Sequence, residues 1–168
     1  MTESATLVGM GDLLAGGSTE EFGCLGIGSG VVLAAYDPQA KVGGCAHFFL
    51  PSAPKEFDST RPAKYVDTGV EALMNRMRRL GAKEENSRVA LVGGASVITS
   101  DATSTARMDL GMRNVDAAHR ALEANGLRCL MEDLGGQIGR SLTLSTRSGE
   151  VRIRTSVHPE KVLGKLQG

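Results

Sequence analysis

The chain has 168 residues, a length that suits one domain with a substantial core. Its 19 Lys and Arg residues equal its 19 Asp and Glu residues, so no net charge favours binding to nucleic acid or insertion into a membrane. Aromatic residues make up only 4% of the chain and tryptophan is absent, which disfavours a base-stacking surface.

The ends and the cysteines of the chain favour a cytoplasmic protein. Residues 1–4 lack the basic stretch and the apolar run of a signal peptide, and no apolar run reaches the roughly 18 residues of a membrane span. Cys24, Cys45 and Cys129 are widely spaced and form no C-x-x-C pair. We therefore expect free thiols, with no metal and no cofactor.

The N-terminal half predicts a hairpin followed by a helix. Residues 30–36 form a continuous apolar run, typical of a strand buried on both faces, and residues 42–50 form a second strand. Residues 52–64, which are rich in proline and charge, predict a surface loop. Apolar residues at helical spacing predict a helix over residues 66–80, which Gly81 ends.

The C-terminal half predicts two further strands, a helix and a closing hairpin. Strands are expected at residues 88–92 and 127–131, and a helix between them begins with Asn114 as its cap and ends before Gly126. Residues 142–146 and 151–157 alternate as in a hairpin with one wet face. Residues 159–168 are weakly patterned, which is typical of a flexible tail. This order of elements predicts a single α+β domain over residues 1–168.

The glycine-rich segment at residues 26–30 has three possible interpretations. A dinucleotide-binding loop needs a third glycine followed by a helix, whereas a strand follows here. Ser29 between two glycines is similar to a hydrolase nucleophile, but that elbow also needs a helix after the serine. A tight turn that enters a strand is the favoured interpretation.

His47 is the one histidine within a predicted apolar strand. Residues two apart share a strand face, so Cys45 and His47 point the same way. A thiol beside an imidazole can form the ion pair of a cysteine hydrolase. The alternatives are a hydrogen-bonded structural histidine and an ordinary buried thiol.

Several short motifs, in order over about residues 23–154, resemble the CheD family. The motifs are Leu25-Gly26-Ile27-Gly28-Ser29-Gly30-Val31, Tyr36-Asp37-Pro38, Gly44-Cys45-Ala46-His47-Phe48-Phe49-Leu50-Pro51, Lys64-Tyr65-Val66-Asp67-Thr68, Gly93-Gly94-Ala95, Gly111-Met112-Arg113-Asn114, Asp133-Leu134-Gly135-Gly136, Gly139-Arg140-Ser141 and the closing segment 146–154. The resemblance implies a layered α/β sandwich of mixed sheets with two main helices. It also implies hydrolysis of glutamine to glutamate and ammonia on the cytoplasmic domain of chemoreceptors, by a protein-glutamine deamidase of bacterial chemotaxis. The implied second partner is a CheC-type phosphatase, and the implied oligomeric state is a monomer.

The resemblance also implies catalytic positions. The family histidine corresponds to His47, the family cysteine nucleophile to Gly30 and the family threonine to Cys24. The backbone of the turn, with Gly28 and Ser29, corresponds to the substrate-binding segment that would hold the oxyanion. Glycine has no side chain, so the family's thiolate attack is not possible from position 30.

Two hypotheses follow for activity. In the first, the chain is a receptor glutamine deamidase whose thiol has moved to Cys24 or Cys45, or whose natural cysteine has been replaced by Gly30. In the second, it is a catalytically inactive relative that binds chemoreceptors or a CheC-type phosphatase. A redox role for the three thiols is a distant alternative, because all three lie in apolar segments.

Overall fold

The computed structural model describes residues 5–96 and 104–167, with side chains in the second range from residue 110 onward. Within these residues the chain forms ten strands and two α-helices, besides short 3-10 helices at Pro62–Lys64 and Glu84–Asn86. In chain order the strands are β1 (Thr6–Leu7), β2 (Leu13–Gly16), β3 (Glu21–Ile27), β4 (Val31–Asp37), β5 (Val42–Phe48), β6 (Arg88–Gly93), β7 (Arg128–Leu134), β8 (Arg140–Ser145), β9 (Glu150–Thr155) and β10 (Lys161–Lys165). The helices are α1 (Val66–Arg79) and α2 (Ser104–Ala124). The prediction that no signal peptide is present concerns residues 1–4, and these lie outside the described residues.

The strands form two mixed sheets of five strands each. The first sheet has the order β1-β3-β8-β9-β10 and the second has the order β2-β5-β4-β6-β7. One apolar core lies between the two sheets, and a second lies between the second sheet and the helices. The prediction of an α+β sandwich of mixed sheets with two main helices is confirmed. No helix in the described part of the chain is long and apolar enough to cross a membrane.

The predicted hairpin of β4 and β5 is the centre of the second sheet. Every residue of β4 is buried, because Leu33 packs in the helix-side core and Val32 packs between the sheets. The register pairs Val31 with Phe48 and Val32 with His47. The hairpin therefore brings the residue that precedes β4, Gly30, to the same end of the sheet as His47.

The two helices end as the sequence predicts, but one starts earlier. Gly81 (φ 103°) follows α1 and Gly126 (φ 66°) follows α2, where the positive φ suits glycine. The prediction that Asn114 caps the second helix is wrong, because α2 already includes residue 104. Asn114 lies fully buried inside the helix, and its amide binds carbonyls of other elements instead of the helix end.

The structure also differs from the sequence prediction at the ends of the domain. Strands β1, β2 and β3 precede the predicted hairpin, and none of them was predicted. At the C-terminus, β10 pairs with β9, and Leu166 is fully buried. The prediction of a flexible tail is therefore wrong from Lys161 onward. The predicted closing hairpin is confirmed by β8 and β9, in which the buried Val151 and Ile153 alternate with exposed arginines.

Candidate active site

A turn of three residues, 28–30, leads from β3 in one sheet to β4 in the other. All three of its carbonyl groups accept hydrogen bonds from neighbouring segments. The donors are the N–H of Ala95 to Gly28 (2.9 Å), the Nδ2 of Asn114 to Ser29 (3.0 Å) and the N–H of Gly94 to Gly30 (2.8 Å). Just before the turn, the N–H of Gly26 donates to Ser141 Oγ at 3.3 Å. Long-range contacts therefore hold the whole segment in place.

His47 lies beside this turn as a buried, neutral imidazole. Its side chain is 2% exposed, and neither ring nitrogen has a hydrogen-bond partner among the described residues. Burial lowers the pKa of His47 from 6.5 to about 4, against the opposing effect of the Asp12 carboxylate. The two residues are also hydrogen-bonded through the backbone, since the N–H of His47 donates to the carbonyl of Asp12 at 3.0 Å. A neutral imidazole can accept a proton but does not by itself stabilise a thiolate.

Gly30 is the residue that the fold places against the imidazole. A Cβ atom built on Gly30 would lie 3.5 Å from His47 Nε2, which is an ordinary contact. The same atom would lie 2.5 Å from the main-chain oxygen of Phe48, which is too close for any side chain without a shift of the backbone. The structure thus brings position 30 and His47 together, and the local backbone fits glycine.

The two thiols considered as alternative nucleophiles contact each other instead of His47. Cys24 in β3 and Cys45 in β5 are fully buried in the core between the sheets. A hydrogen bond with Cys24, then burial and the charge of Cys24, raise the pKa of Cys45 well above its ordinary value. Neither thiol hydrogen-bonds to either ring nitrogen of His47 among the described residues. Both thiols are therefore closed to solvent, and the raised pKa of Cys45 keeps that thiol protonated, which is the opposite of an activated nucleophile.

Cys129 is the most accessible of the three thiols, but it is also not activated. It is half-buried in β7, and burial together with the nearby Glu132 carboxylate raises its pKa to about 11. Such a thiol is a weak nucleophile near neutral pH, which opposes the redox alternative.

Asn114 is a site residue whose role the sequence did not reveal. Its Nδ2 donates to the carbonyls of Ser29 and Phe49, at 3.0 Å each. It therefore bridges the turn that carries position 30 and the end of the strand that carries His47. A fully buried asparagine in a helix usually serves such a bridge, but only the fold shows which carbonyls it reaches.

Comparison with known proteins identifies the family. A family model described as "CheD chemotactic sensory transduction" matches residues 49–155, more than half of the chain. A Methanococcus vannielii protein named "Probable chemoreceptor glutamine deamidase CheD" is 40% identical over 88% of this chain and 92% of its own length. The chain belongs to the CheD family. Proteins of the same name from Thermococcus kodakarensis (38% identical over 88% of this chain and 90% of theirs) and Pyrococcus horikoshii (37% over 95% and 96%) are similarly related.

Proposed function

We propose that this CheD-family chain acts in chemotaxis, where it recognises the cytoplasmic domain of chemoreceptors through the surface around Gly30 and His47. The names of its relatives support this function, since each of them is called a chemoreceptor glutamine deamidase. A CheC-type phosphatase is the second partner that the family resemblance favours. A cytoplasmic location, and a monomer in solution, belong to the same proposal.

The deamidation step itself is slow or absent in this chain. Hydrolysis by a cysteine deamidase begins with attack of a thiolate on the amide carbon, while the histidine passes a proton to the leaving ammonia. Here the position against His47 Nε2 is Gly30, which has no sulfur, and that observation carries the proposal. The geometry also opposes a relocated thiol, because Cys24 and Cys45 are fully buried and hydrogen-bonded to each other. A shift of only about 1 Å in a reacting group can already cost about 100-fold in rate.

Binding to the receptor can be tested with two exposed leucines at opposite ends of the molecule. Leu25 (43% exposed) lies beside the turn, whereas Leu80 (48% exposed) follows α1 near Lys83, whose N–H donates to Asp37 at the far end of β4. The assay is fluorescence anisotropy with a labelled chemoreceptor cytoplasmic fragment. Leu25→Glu should weaken binding at least about tenfold, as expected for a charge placed in an interface, and Leu80→Glu should bind like the unaltered chain.

Equal effects of the two substitutions would place the receptor elsewhere on the molecule, and no binding by the unaltered chain would contradict the proposal. Intact-mass spectrometry of the same samples reports on hydrolysis. Unchanged receptor mass in the presence of binding is the result expected of a chain that recognises the receptor without deamidating it.

A further inference from the structure

A groove beside the candidate site carries positive charge that has no acidic partner among the described residues. One cavity of about 310 Å³ lies between the glycine-rich loop after β7 and strands β9 and β10. A second cavity of about 280 Å³ continues from it, since both are lined by Arg140, Arg154 and Thr155. The second cavity reaches Gly26, which lies two residues before the turn of the candidate site. We call the two cavities together the cationic groove.

The floor of the cationic groove is neutral and rigid. Arg140 is almost fully buried and forms an ion pair of 2.8 Å with Asp133. Its guanidinium also donates to the carbonyls of Asp133, Gly135 and Ile138, which fixes the glycine-rich loop. Among the described residues, Asp133 is the only carboxylate that lines the groove, and its partner Arg140 already neutralises it.

The rim of the groove is positively charged. Arg154 and Lys161 are exposed, and neither forms an ion pair or side-chain hydrogen bond with the described residues. Arg152 lies two residues before Arg154 on the same face of β9 and differs in this respect. Its guanidinium contacts Glu150 at 2.5 Å and Glu160 at 3.5 Å. Within the described part of the chain, these two cations at the rim thus lack the acidic partner that Arg152 has.

The groove follows the strand that supports the site. Arg140 pairs with Ile27 at the end of β3, so the first residue of β8 lies next to the start of the turn. The N–H of Ser96 donates to Gly136 at 2.8 Å, which joins the glycine-rich loop to the segment that holds the turn. A polypeptide bound at the turn therefore has the cationic rim within reach of its neighbouring side chains.

We propose that this chain binds the glutamate-bearing, deamidated form of its receptor segment more tightly than the glutamine-bearing form. The inference rests on the proposed function, and it names the chemical state of the partner that the site selects. Conversion of glutamine to glutamate replaces a neutral amide with a carboxylate, and Arg154 and Lys161 are the groups that would pair with it. The relatives are named for the deamidation of chemoreceptor glutamines. This chain, which has no nucleophile at position 30, would then recognise the product of that reaction.

The expected preference is modest, because exposed ion pairs contribute little. Each carboxylate that reaches the rim should strengthen binding about two- to fivefold. The preference should shrink as salt rises from about 0.1 M to about 1 M, where the screening length falls from about 10 Å to about 3 Å.

The experiment compares two forms of one labelled chemoreceptor cytoplasmic fragment, one with its exposed glutamines and one with glutamates in their place. Dissociation constants are measured for the unaltered chain, for the double variant Arg154→Gln with Lys161→Gln, and for Arg152→Gln as the matched control. We expect tighter binding of the glutamate form, loss of this preference in the double variant, and its retention in the control. Arg152→Gln removes one positive charge whereas the double variant removes two, so the single variants Arg154→Gln and Lys161→Gln are measured beside it. At equal change in charge, this comparison separates the groove from general electrostatic attraction.

The other outcomes distinguish the two proposals. Equal, measurable affinity for both fragments would overturn this inference and leave the proposed function standing. A preference that survives in the double variant would show that the cationic groove is not its source. Failure of both fragments to bind would contradict the proposed function and the inference with it.

Discussion

A single methyl group at position 30 should destabilise the domain, although alanine is a small residue. The Cβ atom of Gly30→Ala would lie 2.5 Å from the main-chain oxygen of Phe48. This is about 0.8 Å short of the roughly 3.3 Å at which carbon and oxygen ordinarily meet. The oxygen belongs to β5, which is hydrogen-bonded to β4 from Val31 onward, so relief requires movement of paired strands. Overpacking of this kind costs about 1–3 kcal/mol.

The assay is thermal and urea-induced unfolding followed by circular dichroism. For a domain of this size, each kcal/mol lowers Tm by about 2–4 °C, so Gly30→Ala should melt about 2–12 °C below the unaltered chain. The matched control is Gly17→Ala, since a Cβ on Gly17 meets nothing within 4 Å. That variant should change the free energy of unfolding by less than about 1 kcal/mol. A Gly30→Ala variant as stable as the control would refute the conclusion that a side chain at position 30 requires a shift of the backbone.

Three further predictions concern the groups around the turn. Since burial holds the folded-state pKa of His47 at about 4, below the 6.5 of the unfolded chain, the unfolded state binds more protons between these values. Stability should therefore fall by up to about 3 kcal/mol as pH drops from 7 to 4, and His47→Gln should flatten this dependence in urea titrations. Asn114→Ala removes hydrogen bonds to two carbonyls, so it should lower the free energy of unfolding by about 2–4 kcal/mol and speed amide exchange in the turn. Asn125→Ala, just after the end of α2, removes a single hydrogen bond and should lower the free energy of unfolding by about 1 kcal/mol or less. Iodoacetamide should leave Cys24 and Cys45 unmodified in the native protein and alkylate them after denaturation, as read by peptide mass spectrometry; rapid native labelling would contradict their burial.

The central hairpin and α1 could be predicted because their patterns are local. A continuous apolar run predicts a strand buried on both faces, and the stripe that ends at Gly81 predicts a helix. Strand β3 was missed because Gly23 and Gly26 interrupt its apolar pattern, and its pairing with β8 depends on residues more than a hundred positions away. Strand β10 was missed for a similar reason: its register shifts between Val162 and Gly164, which breaks the alternation that marks a strand.

The site was predictable in part. The proximity of position 30 to His47 was expected from the family resemblance, and the structure places them in contact distance. The partnership of Cys24 with Cys45 could not be predicted, because the two residues come from different sheets and meet only when the sheets pack. Cys45 and His47 share a strand face, which suggested a nucleophile and its base. Residues two apart on a regular strand are nevertheless too far apart for their side chains to form a hydrogen bond.

Whether this CheD-family chain binds without hydrolysing is decided by intact-mass spectrometry of a chemoreceptor cytoplasmic fragment incubated with it at a concentration that saturates binding. The Methanococcus vannielii relative, incubated with the same fragment, shows whether the fragment contains convertible glutamines. We expect the receptor to keep its mass with this chain, because the position against His47 Nε2 is Gly30 and no described thiol hydrogen-bonds to the imidazole. A gain in mass corresponding to conversion of glutamine to glutamate, at a rate that depends on this chain, would contradict that expectation.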